Sequence, residues 1–341
     1  MTIGNNNPYM GLDSIIGVAE ETTFGTFVTA TTNLEFISEG FKQEREEKKI
    51  ETINSTRHIK RRLQGNETVS GNIETYLNVA SDPICLFFKH AMGGTVSSLT
   101  QTVASNLLHI FNSGNTENND SSVSAADTKS LSVAVRRGNV TTWNHSGCKI
   151  NTLTIKGEVG NPVTVAVDFL ARGCSTGATL PSVALSSIPP LNFTDVVVGV
   201  GITISAVTTE YFTSFEFSLN NNIVGDTTRN LGSRNVYALP VQRQEVTLKL
   251  TQNFDTTTSY DRFIQNTACA IQITIDSGIT MTAGGTTYAM IINIPEAYCN
   301  SNNPVVGDTG VLKNEATFTA VYSSAASYYV QLQVRNSTAG Y

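Results

Sequence analysis

The sequence predicts a mainly β protein: two tandem β-barrel or sandwich domains, each with one short flanking α-helix. Three observations carry that expectation. Apolar residues alternate with polar ones at period two along the chain, only two short stretches suit a helix, and the second half repeats the first half's order of elements.

The alternation is clearest at Val69, Gly71 and Ile73, then at Leu131, Val133 and Val135, and at Leu153 and Ile155. It continues through Val163, Val165, Val167 and Phe169, then Phe215, Phe217 and Leu219, Val246, Leu248 and Leu250, and Ile271, Ile273 and Ile275. Each run reads as a half-buried strand. The first helix is signposted by Asp82 as N-cap, Pro83 at the first helical position, an apolar run from Ile84 to Met92, and Gly93 and Gly94 as the stop. The second begins after Ser259 and carries Tyr260, Phe263 and Ile264.

A loss of periodicity around Pro181, Pro189 and Pro190 separates the halves. The expected organisation is residues 1–172 as the first domain, with an N-terminal arm and a charged hairpin, 173–192 as linker, and 193–341 as the second domain. A shift of 177 residues places Arg57 over Arg234, Val69 over Val246, Ile73 over Leu250 and Leu77 over Phe254. The final strands need another offset, 162–169 over 315–322, which puts Val165 over Phe318. The first half then holds about 24 extra residues, most simply in the Asn/Ser-rich stretch 112–129.

Composition narrows the function. Of 341 residues only 15% are charged, and the net charge of −6 argues against binding nucleic acid by neutralising its backbone. The first nine residues, MTIGNNNPY, offer no signal peptide, and no run of 18 apolar residues occurs, so assembly in a cytoplasm without membrane insertion is expected. Cys85, Cys148, Cys174, Cys269 and Cys299 are odd in number and lack a C-x-x-C pair, so reduced, buried thiols are expected rather than a disulfide frame or zinc site.

No catalytic, cofactor or metal site is expected. His58, His90, His109 and His145 fall in no ligand spacing. Asp276-Ser277-Gly278 and Asp308-Thr309-Gly310 have the look of aspartic-protease triplets, yet both lie in one half, and such triplets are ordinary turn chemistry at strand ends. The oddest feature is residues 42–62, which hold 12 of the 50 charges: Lys42, Arg45, Lys48, Lys49, Arg57, Lys60, Arg61 and Arg62 against Glu44, Glu46, Glu47 and Glu51. One reading is a solubilising hairpin; the other is a projecting arm whose charges set register against another subunit.

Gly17, Glu21, Thr23, Gly25 and Thr26 form a G-x-x-x-E-x-T-x-G-T pattern that resembles the opening of phage tail tube (major tail) proteins. The charged segment, the strand at 69–75, the helix and the run from Gly147 to Val163 follow in the same order. The resemblance implies a structural virion protein, not an enzyme, without cofactors, assembled as stacked rings into a hollow tail tube. It implies contacts with further copies of the chain, with the tape measure protein and with tail tip or terminator proteins, and a transient passage of viral DNA. It also implies that the strands carrying Val69, Ile73, Val163, Val165, Val167, Val246, Leu250 and Phe318 form the ring; the mixed charge of residues 44–62, over a length too great for a tight turn, leads to the expectation that they form a hairpin reaching the next ring. Two such domains per chain lead to an expected trimeric, pseudo-hexameric ring. The alternative is a β-rich virion decoration or receptor- or carbohydrate-binding protein, although Trp143 is the only tryptophan such a surface could use.

Overall fold

The computed structural model describes residues 9–53, 57–93, 96–100 (backbone only), 106–113, 130–182, 186–225, 228–281, 285–302, 304, 306, 310–338 and 341. Residues 114–129, within the stretch expected as an insertion, and the pair Asp308 and Thr309 lie outside them. The fold is mainly β, with two α-helices and antiparallel strand pairing throughout.

The first half runs β1 (Ile15–Glu20), β2 (Thr32–Leu34), β3 (Ser38–Glu39), β4 (Lys42–Ile50), β5 (Arg61–Tyr76), α1 (Asp82–Met92), β6 (Val96–Thr100), β7 (Leu107–Asn112), β8 (Leu131–Arg136), β9 (Thr142–Glu158), β10 (Thr164–Ala171) and β11 (Gly173–Thr176). The second runs β12 (Val196–Gly201), β13 (Val207–Glu210), β14 (Ser214–Asn220), β15 (Glu245–Asn253), α2 (Thr258–Ile264), β16 (Cys269–Thr280), β17 (Thr287–Asn302), β18 (Lys313–Ala320) and β19 (Gln331–Asn336). Strand β11 occupies the start of the expected linker and pairs with β9, because Gly173 to Thr176 continue the chain past a turn at Arg172 into register with Ser146 to Trp143.

Both halves are paired in one order. In the first, β2–β1–β8–β9 leads on to β10–β5–β4, with β11 also on β9. In the second, β13–β12–β16–β17 leads on to β18–β15–β14, with β19 also on β17. Bulges mark matching points: between Asp168 and Phe169 opposite Asn151, and between Thr317 and Phe318 opposite Asn300. They set Phe169 over Phe318, four residues away from the sequence alignment, which put Val165 there. Period-two alternation looks the same after a slip of four, so only the bulge fixes the register. The extra chain in the first half also includes the β6–β7 hairpin, whose β7 pairs with β19 of the second half.

The alternating apolar residues are core. Val69, Ile73, Val163, Val165, Val167, Val246, Leu250 and Phe318 are all buried in one cluster that spans both halves. Val163 precedes β10, and its N–H donates to Leu191 O at 3.0 Å. Helix α1 buries Ile84, Phe87, Phe88 and Met92 and ends at Gly93 with φ +116°; Ser81 rather than Asp82 stands at its N-cap. The Asp82 carboxylate is taken up instead by the hydroxyls of Thr338 and Tyr341. Four cysteines are buried, while Cys174 on β11 is half-exposed because that strand lies at a sheet margin.

The G-x-x-x-E-x-T-x-G-T segment owes its pattern to Glu21, only 3% exposed. One carboxylate oxygen accepts the Gly25 N–H at 2.8 Å and the Ser130 hydroxyl at 2.6 Å; the other accepts the Gly147 N–H and the Ser132 hydroxyl, both at 2.8 Å. Gly25 (φ +75°) and Gly147 (φ +65°) hold the left-handed backbone that aims those N–H groups inward, and a Cβ on either would strike Arg172. Next door, Glu20 points the other way, to Lys89 at 2.7 Å and His90 at 3.1 Å.

Glu21→Gln keeps the shape but has one oxygen for two backbone N–H groups, and the hydroxyls can turn whereas the amides cannot. Urea unfolding of isolated subunits should show a loss of roughly 2 kcal/mol or more, and an unchanged midpoint would contradict this role.

Acid should act through two groups. Burial holds His145 down to about 4, and the hydrogen bond with His90, aided by Lys89, holds Glu20 at about 2. His145 therefore stays neutral in the fold while the unfolded chain takes up a proton near pH 6.5, so stability is full above that and falls towards pH 4. Glu20 adds a loss as pH falls from 4.5 towards 2. The His145 share is on the order of 3 kcal/mol. In His145→Phe, whose ring would lie against Phe41 as the imidazole does at 4.4 Å, the decline between pH 6.5 and 4 should largely vanish in pH-dependent thermal melts.

Candidate functional site: an uncovered sheet face and its two ends

The two halves share one eight-stranded stretch of sheet, β4–β5–β10–β9–β14–β15–β18–β17, with β3 continuing the β4 edge. Its middle seam joins the halves: β14 pairs with the C-terminal part of β9 from Ser214 opposite Glu158 to Asn220 opposite Thr152. Beyond β14 the seam continues through one backbone bond and one to a side chain. Asn221 N–H donates to Asn151 O at 2.8 Å, and Ile223 N–H to the Asn151 side chain at 2.9 Å, at the bulge in β9.

Because side chains alternate across a strand, the residues between the buried ones all emerge on one face. That face carries Ser70 and Asn72 from β5, Thr152 and Thr154 from β9, Ser218 from β14, Thr247 and Thr251 from β15, and Thr317 and Thr319 from β18, none of them buried. Its charges are Glu74, Glu158, Asp168, Glu216, Glu245 and Glu315 against Lys156, Lys249 and Lys313. Lys156 and Glu216 pair across the seam at 3.0 Å, and partial burial pushes the Asp168 carboxyl up. A carpet of hydroxyls with acids in excess has no cationic array with which to grip a polyanion.

The two ends of this sheet differ. At one end β4 and β5 run on together past their neighbours as a hairpin paired to Ile50 and Arg61. Glu44, Arg45, Glu46, Glu47, Lys48, Lys49, Glu51, Arg57, Lys60, Arg61 and Arg62 all lie on it and all are exposed. Several pair within it: Lys42 with Glu44 at 2.8 Å, Arg45 with Glu67 at 2.8 Å, Arg62 with Glu47 at 3.5 Å and Lys48 with Glu46 at 3.9 Å. The three pairs exposed on both sides contribute little to stability, whereas Glu67, buried at the hairpin root, is the partner of Arg45 in the fourth. Lys49, Glu51, Arg57, Lys60 and Arg61 have no ion-pair partner among the described residues, so the outer part of the hairpin is basic. Residues 54–56 lie outside the described ones.

The root of the hairpin is gripped by the second half, which sequence reasoning missed. In the stretch between β14 and β15, Arg229 donates to Glu67 O at 3.0 Å and to the Thr68 hydroxyl at 3.3 Å, and Arg234 to the Gln64 side chain at 2.9 Å. Glu67 N–H returns a bond to Arg234 O at 3.1 Å. The buried Lys149 ammonium donates to Leu239 O at 2.8 Å, and Phe24, Val236 and Leu239 form a small separate core under this stretch. Proline at 240 and glycines at 225 and 232 read only as a loop in the sequence; nothing in local pattern says which carbonyls two arginines will find.

Of the residues considered for chemistry, Asp276 and His109 serve the fold. Asp276 accepts the Thr287 hydroxyl at 2.7 Å, Arg335 at 2.8 Å and Gly278 N–H at 3.0 Å, a turn at a strand irregularity. His109 meets Asn336 and Thr338 O at 3.0 and 3.1 Å. Among the described residues no group of three or more His, Cys, Asp or Glu is placed to hold a metal ion, and no helix is long and apolar enough to cross a membrane.

A family model described as phage tail tube protein matches residues 11–320. The chain belongs to that family. No curated protein matches the sequence significantly. Membership makes this a structural tail tube protein of the virion tail that assembles with itself, and gives the uncovered face and the hairpin their context.

Limited trypsin treatment of dissociated subunits should cut first between Lys48 and Arg62, with the fragments still eluting together at the native position. Earlier cleavage elsewhere would mean that the hairpin is not the most accessible basic segment.

Proposed function

We propose that three chains close into a pseudo-hexameric ring, that the rings stack into the tail tube, and that viral DNA passes along the uncovered sheet face on its way to the host. The observation that carries this is the β9–β14 seam. Inside one chain, the β14 edge of one half pairs with the β9 edge of the other. At the chain's two flanks, the strands in the same places of the pairing order, β4 with β3 and the end of β17, have no outer partner among the described residues. A second copy repeating the seam would pair them, as an open sheet edge requires. The identical pairing order supports a duplication, with each half filling one of six ring positions.

Exposed apolar residues support the same closure. Ile37 is 45% exposed beside β3, and Val306 is 79% exposed beyond β17, places a repeated seam would cover. Eight strands from each of three chains make a barrel of twenty-four, which at ordinary spacing and tilt is about 45–50 Å across between backbones. That leaves a wide bore lined by hydroxyls and acidic groups, a surface that lets a polyanion slide without binding it. The hairpin, net positive on a chain of net charge −6, then projects towards the next ring, where charge sets register. Contacts with the tape measure protein and with tail tip or terminator proteins follow from the same reading, as does assembly in the host cytoplasm.

Mass per unit length of purified tubes, with the symmetry of a cryo-EM cross-section, should give three copies of the 36.7 kDa chain per ring; six copies would overturn the stoichiometry. Deleting residues 46–56 should leave folded subunits that do not stack, and normal tubes from that variant would remove the hairpin from stacking.

A further inference from the structure

We propose that Leu231 forms a second stacking contact, seated in the cleft that opens at the far end of the sheet between Val159, Val197 and Tyr211 of a copy in the next ring. This rests on the tube reading above. Leu231 is wholly exposed at 106%, the apex of a turn made by Gly232 at φ +91°. It is not a loose residue. Arg229 and Arg234 tie the same turn to the hairpin root, Tyr237 N–H bonds Thr228 O at 3.0 Å, and Arg229 bridges to Val236. A branched apolar side chain is thus held out to water on a braced support, the arrangement expected of a preorganised contact.

Position supports a head-to-tail partner. Asn220 ends β14 and leads to this turn at the hairpin end of the sheet; Ser214, at the other end of β14, lines the cleft. The cleft holds about 150 Å³, room for a single branched side chain, and its rim leaves Val159 59%, Val197 49% and Tyr211 90% exposed. Glu158, exposed at the same rim, faces a neighbour whose turn carries two arginines, so charge and apolar surface agree. The turn is short and clamped, so it reaches only as far as the rim, which is where the cleft opens. The hairpin, several residues longer, passes beyond it. Turn and cleft belong to the same chain, so each copy in a stack offers both the knob and the socket.

The test pairs a charge substitution with a crosslink, both read on wild-type tubes as reference. Leu231→Asp should leave subunits folded by circular dichroism and gel filtration but raise the concentration needed for tubes at least tenfold, while Leu231→Met should assemble as wild type. Oxidised tubes of a Leu231→Cys, Val159→Cys variant should give a reducible ladder of multimers that neither single variant gives. Tubes of Leu231→Asp at the wild-type concentration, or assembled double-cysteine tubes with no ladder, would overturn the contact. Failure of the wild-type chain to form tubes or rings would instead overturn the tube reading itself.

Discussion

The structure depends on one row of backbone hydrogen bonds, where β14 adds itself to the edge of β9. Without it the halves would be joined only by the β7–β19 ladder, the grip on the hairpin root and the shared core, and β9 and β14 would each present an open edge, a template for indiscriminate pairing. With it the two halves become one continuous sheet with a shared core on one side and a polar face on the other. Most of the rest is arranged around that seam. Asn151 bulges out of β9 to receive the chain after β14, Asn221 bonds Ile150 O and Ala91 O behind it, and Gln244 closes the same network through Asn221. Polar side chains at a seam fix register more sharply than apolar ones, because a slip would leave buried amides without partners.

Two adjacent glutamates show how one local pattern serves two needs. Glu20 and Glu21 leave the end of β1 on opposite sides. Glu20 meets Lys89 and His90 of α1 and anchors the helix to β1. Glu21, which has no ion-pair partner among the described residues, is held by four hydrogen-bond donors spread over three segments. A buried carboxylate needs that many hydrogen bonds when no charge pairs with it, which is why glycines at 25 and 147 must bring backbone so close.

Much of this was legible in the sequence. Alternation at period two marks residues that turn out buried, such as Val165, Phe217 and Leu248, because a half-buried strand leaves that imprint whatever its neighbours are. Helix α1 was legible through Pro83 and Gly93, whose backbone preferences are local. The charged segment read as a hairpin, and it pairs as one. What stayed hidden was decided by partners distant in sequence. The offset of the last strand depends on bulges opposite Asn151 and Asn300, the β6–β7 hairpin belongs with β19 some 220 residues later, and the grip of Arg229 and Arg234 on the hairpin is a matter of which carbonyls fold brings near. The uncovered face was present only as the polar half of the alternation, a set of Thr, Ser and Asn that local pattern reads simply as outside.

Strand β9 is 17 residues long and belongs to two layers at once: its first part pairs with β8 and β11, its last part with β10 and β14. At strand rise it is a rod of about 55 Å, and β17, with 16 residues, plays the same part in the other half. Bending such a rod would shear two hydrogen-bonded ladders together, so each subunit is stiff along that direction. In a tube built as proposed above, curvature would then be taken up at the joints between rings, as in a string of beads.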